Sequence, residues 1–241
     1  MKKHIKIFNN IAELSQYFAT LIASGVQNTP EGRFFSIALS GGSTPKVVFE
    51  YLAAHFKEAI AWDNVQVFWS DERCVFPESP ESNYRMAKES LLDRVPIPAA
   101  QIFRMQGEAD PAAEAARYTE AVLQSTPHFN GIPVFDLLML GLGDDGHTAS
   151  IFPHNSHLFY SELPFEVADH PQSGQHRITV TGQTINHANA VVFIATGAAK
   201  AEMVANVLEK RAGWEKLPAA LVQPEAGTLF WLLDVAAAGE L

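Results

Sequence analysis

At 241 residues, with 47% hydrophobic and 18% charged side chains, the chain is long enough to bury a large core and too apolar to be disordered. Its formal net charge of −10, with no dense basic cluster, argues against nucleic acid or an anionic membrane surface as partner, so an anionic ligand would need a local basic pocket. The single cysteine, Cys74, excludes an intrachain disulfide, the basic start Met1-Lys2-Lys3-His4 is not followed by an apolar signal core, and no run approaches membrane-spanning length, so a cytoplasmic protein is expected.

Ile11, Leu14, Phe18, Leu21 and Ile22 recur at helical spacing behind Asn9 and Asn10, which predicts a capped helix ending near Gly25. A strand over 34–39 leads into Ser40-Gly41-Gly42-Ser43-Thr44-Pro45, and helical spacing resumes through Val47, Val48, Tyr51 and Leu52. Val65 to Trp69 reads as a strand ending in Ser70-Asp71-Glu72-Arg73, and a polar loop over 76–83 feeds a helix from about Tyr84 to Leu92. A further helix is predicted over 111–124, then an apolar strand from Phe135 to Leu140, broken only by Asp136. After an irregular region between Phe152 and Gln175, strands are predicted at Ile178–Val180 and Ala190–Ala195, a helix from about Ala198 to Arg211, and a last strand over Leu229–Leu233. Strands alternating with helices argue for an α/β chain with a mostly parallel sheet covered on both faces. Without repeat or linker, one domain over 1–241 is expected.

The most informative stretch runs from Val134 to Pro153. A strand buried on both faces breaks sharply into Gly141, Gly143 and Gly146, with Asp144, Asp145 and His147 among them, groups able to exchange protons or to orient one that does. Ligands of open parallel sheets bind at such strand ends. Asp145 could hold one nitrogen of His147 and leave the other basic near neutral pH, although a histidine in a glycine loop can equally serve a backbone carbonyl. Gly141-Leu-Gly-Asp-Asp-Gly146 matches a dinucleotide pattern, but its aspartates would occupy the space of a pyrophosphate, so no nicotinamide or flavin is expected. Asp145, His147, His154 and His157 show no recognised metal spacing, and no Gly-x-Ser-x-Gly elbow is present.

In the first glycine loop, Pro45 fits the first helical position with Thr44 or Ser43 as cap. Small hydroxyls, glycines and a first turn without acid suit either an external phosphate or an ordinary strand-to-helix turn. Arg73, next to Asp71, is either an anion clamp or part of a surface ion-pair turn, and Arg177 and Lys200, each beside a predicted strand, carry the same alternatives.

Leu39-Ser-Gly-Gly-Ser-Thr-Pro45, Trp69-Ser-Asp-Glu-Arg-Cys-Val75 with Ser82-Asn-Tyr-Arg-Met86, Gly141 through Pro153, and Arg177-Ile-Thr-Val-Thr181 together resemble the glucosamine-6-phosphate isomerase/6-phosphogluconolactonase family, and within it the lactonases. Val95-Pro-Ile-Pro98 and Trp231-Leu-Leu-Asp234 extend the likeness over nearly the whole chain. The resemblance implies a three-layer α/β/α, Rossmann-like fold and cofactor-free hydrolysis of a small phosphorylated sugar lactone, 6-phosphoglucono-1,5-lactone, by a monomer or small homo-oligomer. It implies that His147 is the general base and Asp145 its assistant. Gly42, Ser43, Thr44, Arg73, Arg177 and Lys200 are implied around the phosphate, and Asp71 in the substrate site. The deaminases of the family share Asp71 and Asp145-Gly-His147 but carry a glutamate five residues after the histidine, where this chain has Phe152. A sugar-phosphate sensor without catalysis is the alternative outside enzymes.

Overall fold

The computed structural model describes residues 2–241. In chain order the strands and helices are β1 (Lys2–Phe8), α1 (Ile11–Gln27), β2 (Phe35–Leu39), α2 (Ser43–His55), β3 (Val65–Trp69), β4 (Asp71–Arg73), α3 (Asn83–Ser90), α4 (Pro111–Ser125), β5 (His128–Phe129), β6 (Ile132–Pro133), β7 (Leu137–Leu140), β8 (Phe165–Asp169), β9 (His176–Val180), α5 (Gly182–His187), β10 (Ala190–Ala195), α6 (Ala201–Leu208), α7 (Pro218–Leu221) and β11 (Thr228–Asp234).

Six strands form one sheet in the order β1-β11-β10-β7-β2-β3, every pair parallel. The inner strands read as unbroken apolar runs because both faces are covered: β2, β3 and β7 are buried at every position. From β2 the chain moves outward to β3, and from β7 it moves the other way to β10 and β11. The reversal lies between β2 and β7, so their carboxyl ends open a crevice at a topological switch point. The expected mostly parallel, three-layer α/β architecture is what the chain adopts.

A second sheet, β4-β9-β8, is antiparallel. The strand predicted at Ile178–Val180 therefore does not join the main sheet, as the alternating pattern suggested, but pairs with the segment that continues past β3. Ser70 is the junction: its N–H donates to the Leu39 carbonyl at 2.8 Å, and its own carbonyl accepts from Val180 N–H at 2.7 Å. Tyr118 on α4 fastens the same corner, its hydroxyl accepting from Trp69 N–H at 2.9 Å while its ring meets Phe165 edge-on.

Helix ends follow their capping chemistry. Asn10 caps α1, accepting from Glu13 N–H at 3.0 Å, and the helix runs two residues past Gly25 to Gln27. At α2 the expected cap is wrong: Gly42, at φ 112°, takes the cap position, and Pro45 becomes the third helical residue. At that φ the backbone is in a region that L side chains rarely adopt, so the turn into α2 calls for glycine at residue 42. The hydroxyls of Ser43 and Thr44 are thereby not consumed by capping. The helix expected over 198–211 is a 3-10 turn over Ala198–Lys200 followed by α6, which stops at Leu208 before Lys210 at φ 54°. Among the described residues no helix is long and apolar enough to cross a membrane.

Candidate active site

The carboxyl ends of β2, β3, β7 and β10 deliver four loops to one cleft of about 260 Å³, lined by Ser40 and Gly41, by Asp71, Arg73 and Asn83, by Gly141–Asp144, His147 and Ala149, and by Arg177 and Lys200. The motifs lie far apart in sequence and meet because parallel strands all end on the same edge of the sheet.

The loop after β7 folds back on itself, Gly143 N–H donating to the His147 carbonyl at 2.9 Å. A Cβ at residue 143 would lie 2.1 Å from His147 Nδ1, so only glycine admits the imidazole here. Asp145 Oδ1 accepts from His147 N–H at 3.1 Å and stands 2.5 Å from Nδ1, which leaves Nε2 as the ring nitrogen for the cleft. Burial would raise the Asp145 carboxyl, but the His147 amide, the imidazole's charge and the ring hydrogen bond outweigh it and hold the carboxyl below its ordinary value.

Asp71 and Arg73 project from β4 into the cleft, whereas Glu72 points the other way. Buried, it accepts from the N–H groups of Arg73, Asn83 and Tyr84 and from the Ser82 hydroxyl, which fixes the start of α3. That helix start in turn aims Asn83 at the site: its Nδ2 donates to the Asp71 carbonyl at 2.9 Å, over Gly41, where a Cβ would collide with the amide at 1.8 Å. Asp71 is buried and accepts from Ser150 Oγ at 2.7 Å.

Arg73 and Arg177 are direct cross-strand partners on β4 and β9. Two guanidiniums side by side repel, and each has a buried Nε–H without a protein acceptor. Burial, opposed by Asp71 and helped by Arg73, pushes Arg177 below its ordinary value, although guanidinium stays charged. Arg73 is held by the Glu81 carbonyl and Arg177 by a 3.5 Å contact to Ser150 Oγ. This pair suits a ligand that brings negative charge and acceptor oxygens.

Lys200 lines the cleft but is already partnered, its Nζ 2.5 Å from Asp144 Oδ1. Gly42 and Ser43 line a neighbouring hollow with Lys46, joined to the cleft through Arg73 and Asn83. The Thr44 hydroxyl lies 2.9 Å from that of Thr196, tying the start of α2 to the loop that carries Lys200. Gly42, Ser43, Thr44, Asp71, Arg73, Asp145, His147, Arg177 and Lys200 therefore lie in or against this region. The sequence does not reveal the contacts of Asn83 and Ser150 with Asp71 or the pairing of Asp144 with Lys200. Their roles lie in contacts between loops, and only the acidic neighbour of Asp145 carried any signal.

Comparison with known proteins agrees with this arrangement. The family model described as glucosamine-6-phosphate isomerases/6-phosphogluconolactonase matches residues 9–231. A 6-phosphogluconolactonase of Nostoc sp. is 40% identical over 248 residues, spanning 100% of this chain and 99% of its own. One of Haemophilus influenzae is 42% identical over 83% of this chain and 85% of its own. The solved 6-phosphogluconolactonase of Trypanosoma brucei superposes with a TM-score of 0.82 at 32% identity, over 100% of this chain and 99% of that one. With a family model matched over residues 9–231 and a relative 40% identical along the whole chain, the chain belongs to the glucosamine-6-phosphate isomerase/6-phosphogluconolactonase family.

Proposed function

We propose that the protein hydrolyses 6-phospho-D-glucono-1,5-lactone to 6-phospho-D-gluconate, the lactone-opening step of the oxidative pentose phosphate pathway. The observation that carries this reading is His147, with Nδ1 held by Asp145, in a cleft with three cationic side chains. A base beside cations suits an ester-like bond in an anionic substrate.

Lys200, Gly42, Ser43 and Thr44 take the phosphate together with a guanidinium of the Arg73–Arg177 pair. Anchoring the phosphate far from the reacting carbonyl spends binding energy on orientation. His147 accepts a proton from water as the water oxygen attacks the lactone carbonyl carbon. The carbonyl becomes a tetrahedral oxyanion, and donors aimed into the cleft stabilise it as charge develops. Collapse breaks the bond from that carbon to the ring oxygen, and the imidazolium returns its proton to the departing oxygen, which becomes the C5 hydroxyl. Asp145 keeps the imidazole in the required tautomer and balances its charge while it holds the proton. Asp71, locked by Ser150 and Asn83, borders the sugar hydroxyls rather than the reacting bond.

On this reading residues 1–241 form one sugar-phosphate hydrolase domain, a cytoplasmic monomer or small homo-oligomer working without cofactor, nucleic acid or membrane. The test follows the decay of freshly generated lactone with wild type, with His147→Ala and with no protein, since the lactone also hydrolyses unaided. Wild type should accelerate it and His147→Ala should lose on the order of 10²–10⁴ of that acceleration, the worth of a positioned base. Equal decay in all three samples would end the lactonase reading and turn attention to glucosamine 6-phosphate.

A further inference from the structure

Phe152 is 1% exposed, yet its ring stands outside the contiguous apolar core that takes in Phe68, Phe135 and Phe193. Its aromatic and cationic neighbours are site residues and their surroundings. The His147 ring lies 4.4 Å away centroid to centroid, His170 meets it edge-on at 5.3 Å, His154 lies at 5.8 Å, and the Arg177 guanidinium is 5.6 Å from its centroid. The backbone presents the ring firmly, Phe152 N–H donating to Asn155 Oδ1 at 2.6 Å and its carbonyl accepting from Asn155 N–H at 3.1 Å.

We infer that Phe152 is a positioning residue of the reaction: its buried ring is the common surface against which the His147 imidazole and the Arg177 guanidinium are set. This rests on the lactonase reading above. A single hydrogen bond from Nδ1 to Asp145 fixes one atom of the imidazole and leaves the ring free to swing about it. Contact with Gly143 and with Phe152 removes that freedom and keeps Nε2 directed at the cleft. The ring also has an electrostatic part. When His147 takes up a proton it becomes a second cation near Arg177, and an aromatic face attracts cations where an aliphatic side chain of similar size does not. The charged and titratable groups around this corner include Asp145, His154, His170, Arg73 and Arg177, with Asp71 and Glu81 acting on Arg177, so the ring is the neutral member of a polar cluster.

The experiment compares wild type, Phe152→Leu, which keeps apolar bulk without the ring, and Phe152→Tyr, which keeps the ring. It measures kcat and KM for the lactone, thermal unfolding, and the imidazole ¹⁵N shifts of His147, assigned against His147→Ala. Phe152→Leu should fold and lose about ten- to a hundredfold in kcat, Phe152→Tyr should stay within about threefold of wild type, and only Phe152→Leu should shift or broaden the His147 imidazole resonances as the ring swings on its Asp145 hydrogen bond. Wild-type kcat and wild-type imidazole shifts in Phe152→Leu would overturn the inference, and so would equal losses in the two variants. Should Phe152→Leu fail to fold, Phe152→Met stands in under the same criteria. A wild type without lactone turnover would sink the lactonase reading alone, because the imidazole shifts still judge Phe152.

Discussion

Lys200 Nζ, at the end of the loop after β10, lies 2.5 Å from Asp144 Oδ1 in the loop after β7. The carboxylate side of this pair is 85% exposed, so the pair is worth no more than a surface ion pair, roughly 0.2–1 kcal/mol. A substrate phosphate must compete with Asp144 for the ammonium. Asp144→Asn should therefore lower KM for the lactone by up to about fivefold with kcat unchanged, and the gain should shrink as salt is raised. Lys200→Ala should raise KM. Steady-state kinetics at low and high ionic strength read both, and an unaltered KM in Asp144→Asn would mean that the phosphate does not meet this lysine.

The sign of the Asp145 contribution follows from its depressed carboxyl. A group whose folded value lies below its unfolded one stabilises the fold fully above the ordinary aspartate value of 3.8 and loses that contribution as pH falls through the folded value. Because the side chain is 44% exposed, the contribution is screened, under about 1 kcal/mol. Urea unfolding of wild type and Asp145→Asn should differ by a small amount near pH 5, and the difference should vanish on further acidification. A difference that grew on acidification below about pH 5 would reverse the assignment. Turnover should suffer far more than stability, since the imidazole loses its orienting partner.

Tyr118 predicts the opposite split. Its hydroxyl accepts from Trp69 N–H at 2.9 Å and donates to the Phe103 carbonyl at 3.3 Å, and burial pushes it well above its ordinary value, so it stays protonated. Tyr118→Phe strands a buried amide at the end of β3 and should cost about 1–3 kcal/mol in urea unfolding. At neutral pH kcat should hold, because the hydroxyl does not reach the cleft. A variant as stable as wild type would show that the amide finds another acceptor.

How far the sequence could be read follows from burial. The inner strands β2, β3, β7 and β10 were legible because a strand covered on both faces must be an apolar run. β1 was not: Lys2-Lys3-His4-Ile5-Lys6-Ile7 is an edge strand, exposed along nearly its whole length, so no core imposed a pattern on it. β8 was hidden for a similar reason, a five-residue strand without regular alternation in a region that reads as irregular. At the site, Gly141 to His147 was legible because glycines and titratable groups after a buried strand have few other uses. Asn83 and Ser150 were not, because their meaning is a contact with Asp71 across 12 and 79 residues of sequence.

Asp136, the one charge in the apolar run that leads into β7, is explained by a network at the opposite end of that strand from Gly141. Its carboxylate takes Arg33 in two-pronged fashion, Nη1 to Oδ2 at 2.6 Å and Nη2 to Oδ1 at 3.0 Å. It also accepts from Ser36 N–H at 2.9 Å, Ser36 Oγ at 3.1 Å and Asn189 Nδ2 at 3.2 Å. One side chain thus joins the entrances of β2, β7 and β10, the three strands whose far ends carry the site. Asp136→Ala would leave the Ser36 amide without an acceptor and a part-exposed guanidinium without its partner, and stranding the buried donor costs about 1–3 kcal/mol. That is a large part of the roughly 5–15 kcal/mol by which a domain is stable. Asp136→Asn keeps the shape and one of the two acceptor oxygens and should lose less. Urea unfolding gives both numbers, and a loss below about 1 kcal/mol in Asp136→Ala would remove the network from the account of stability. Folded Asp136→Asn should turn over lactone at the wild-type rate, since the strand separates the network from His147. A fall in its kcat at full occupancy of the folded state would instead mean that the alignment of β2, β7 and β10 at this end sets the geometry of the cleft at the other.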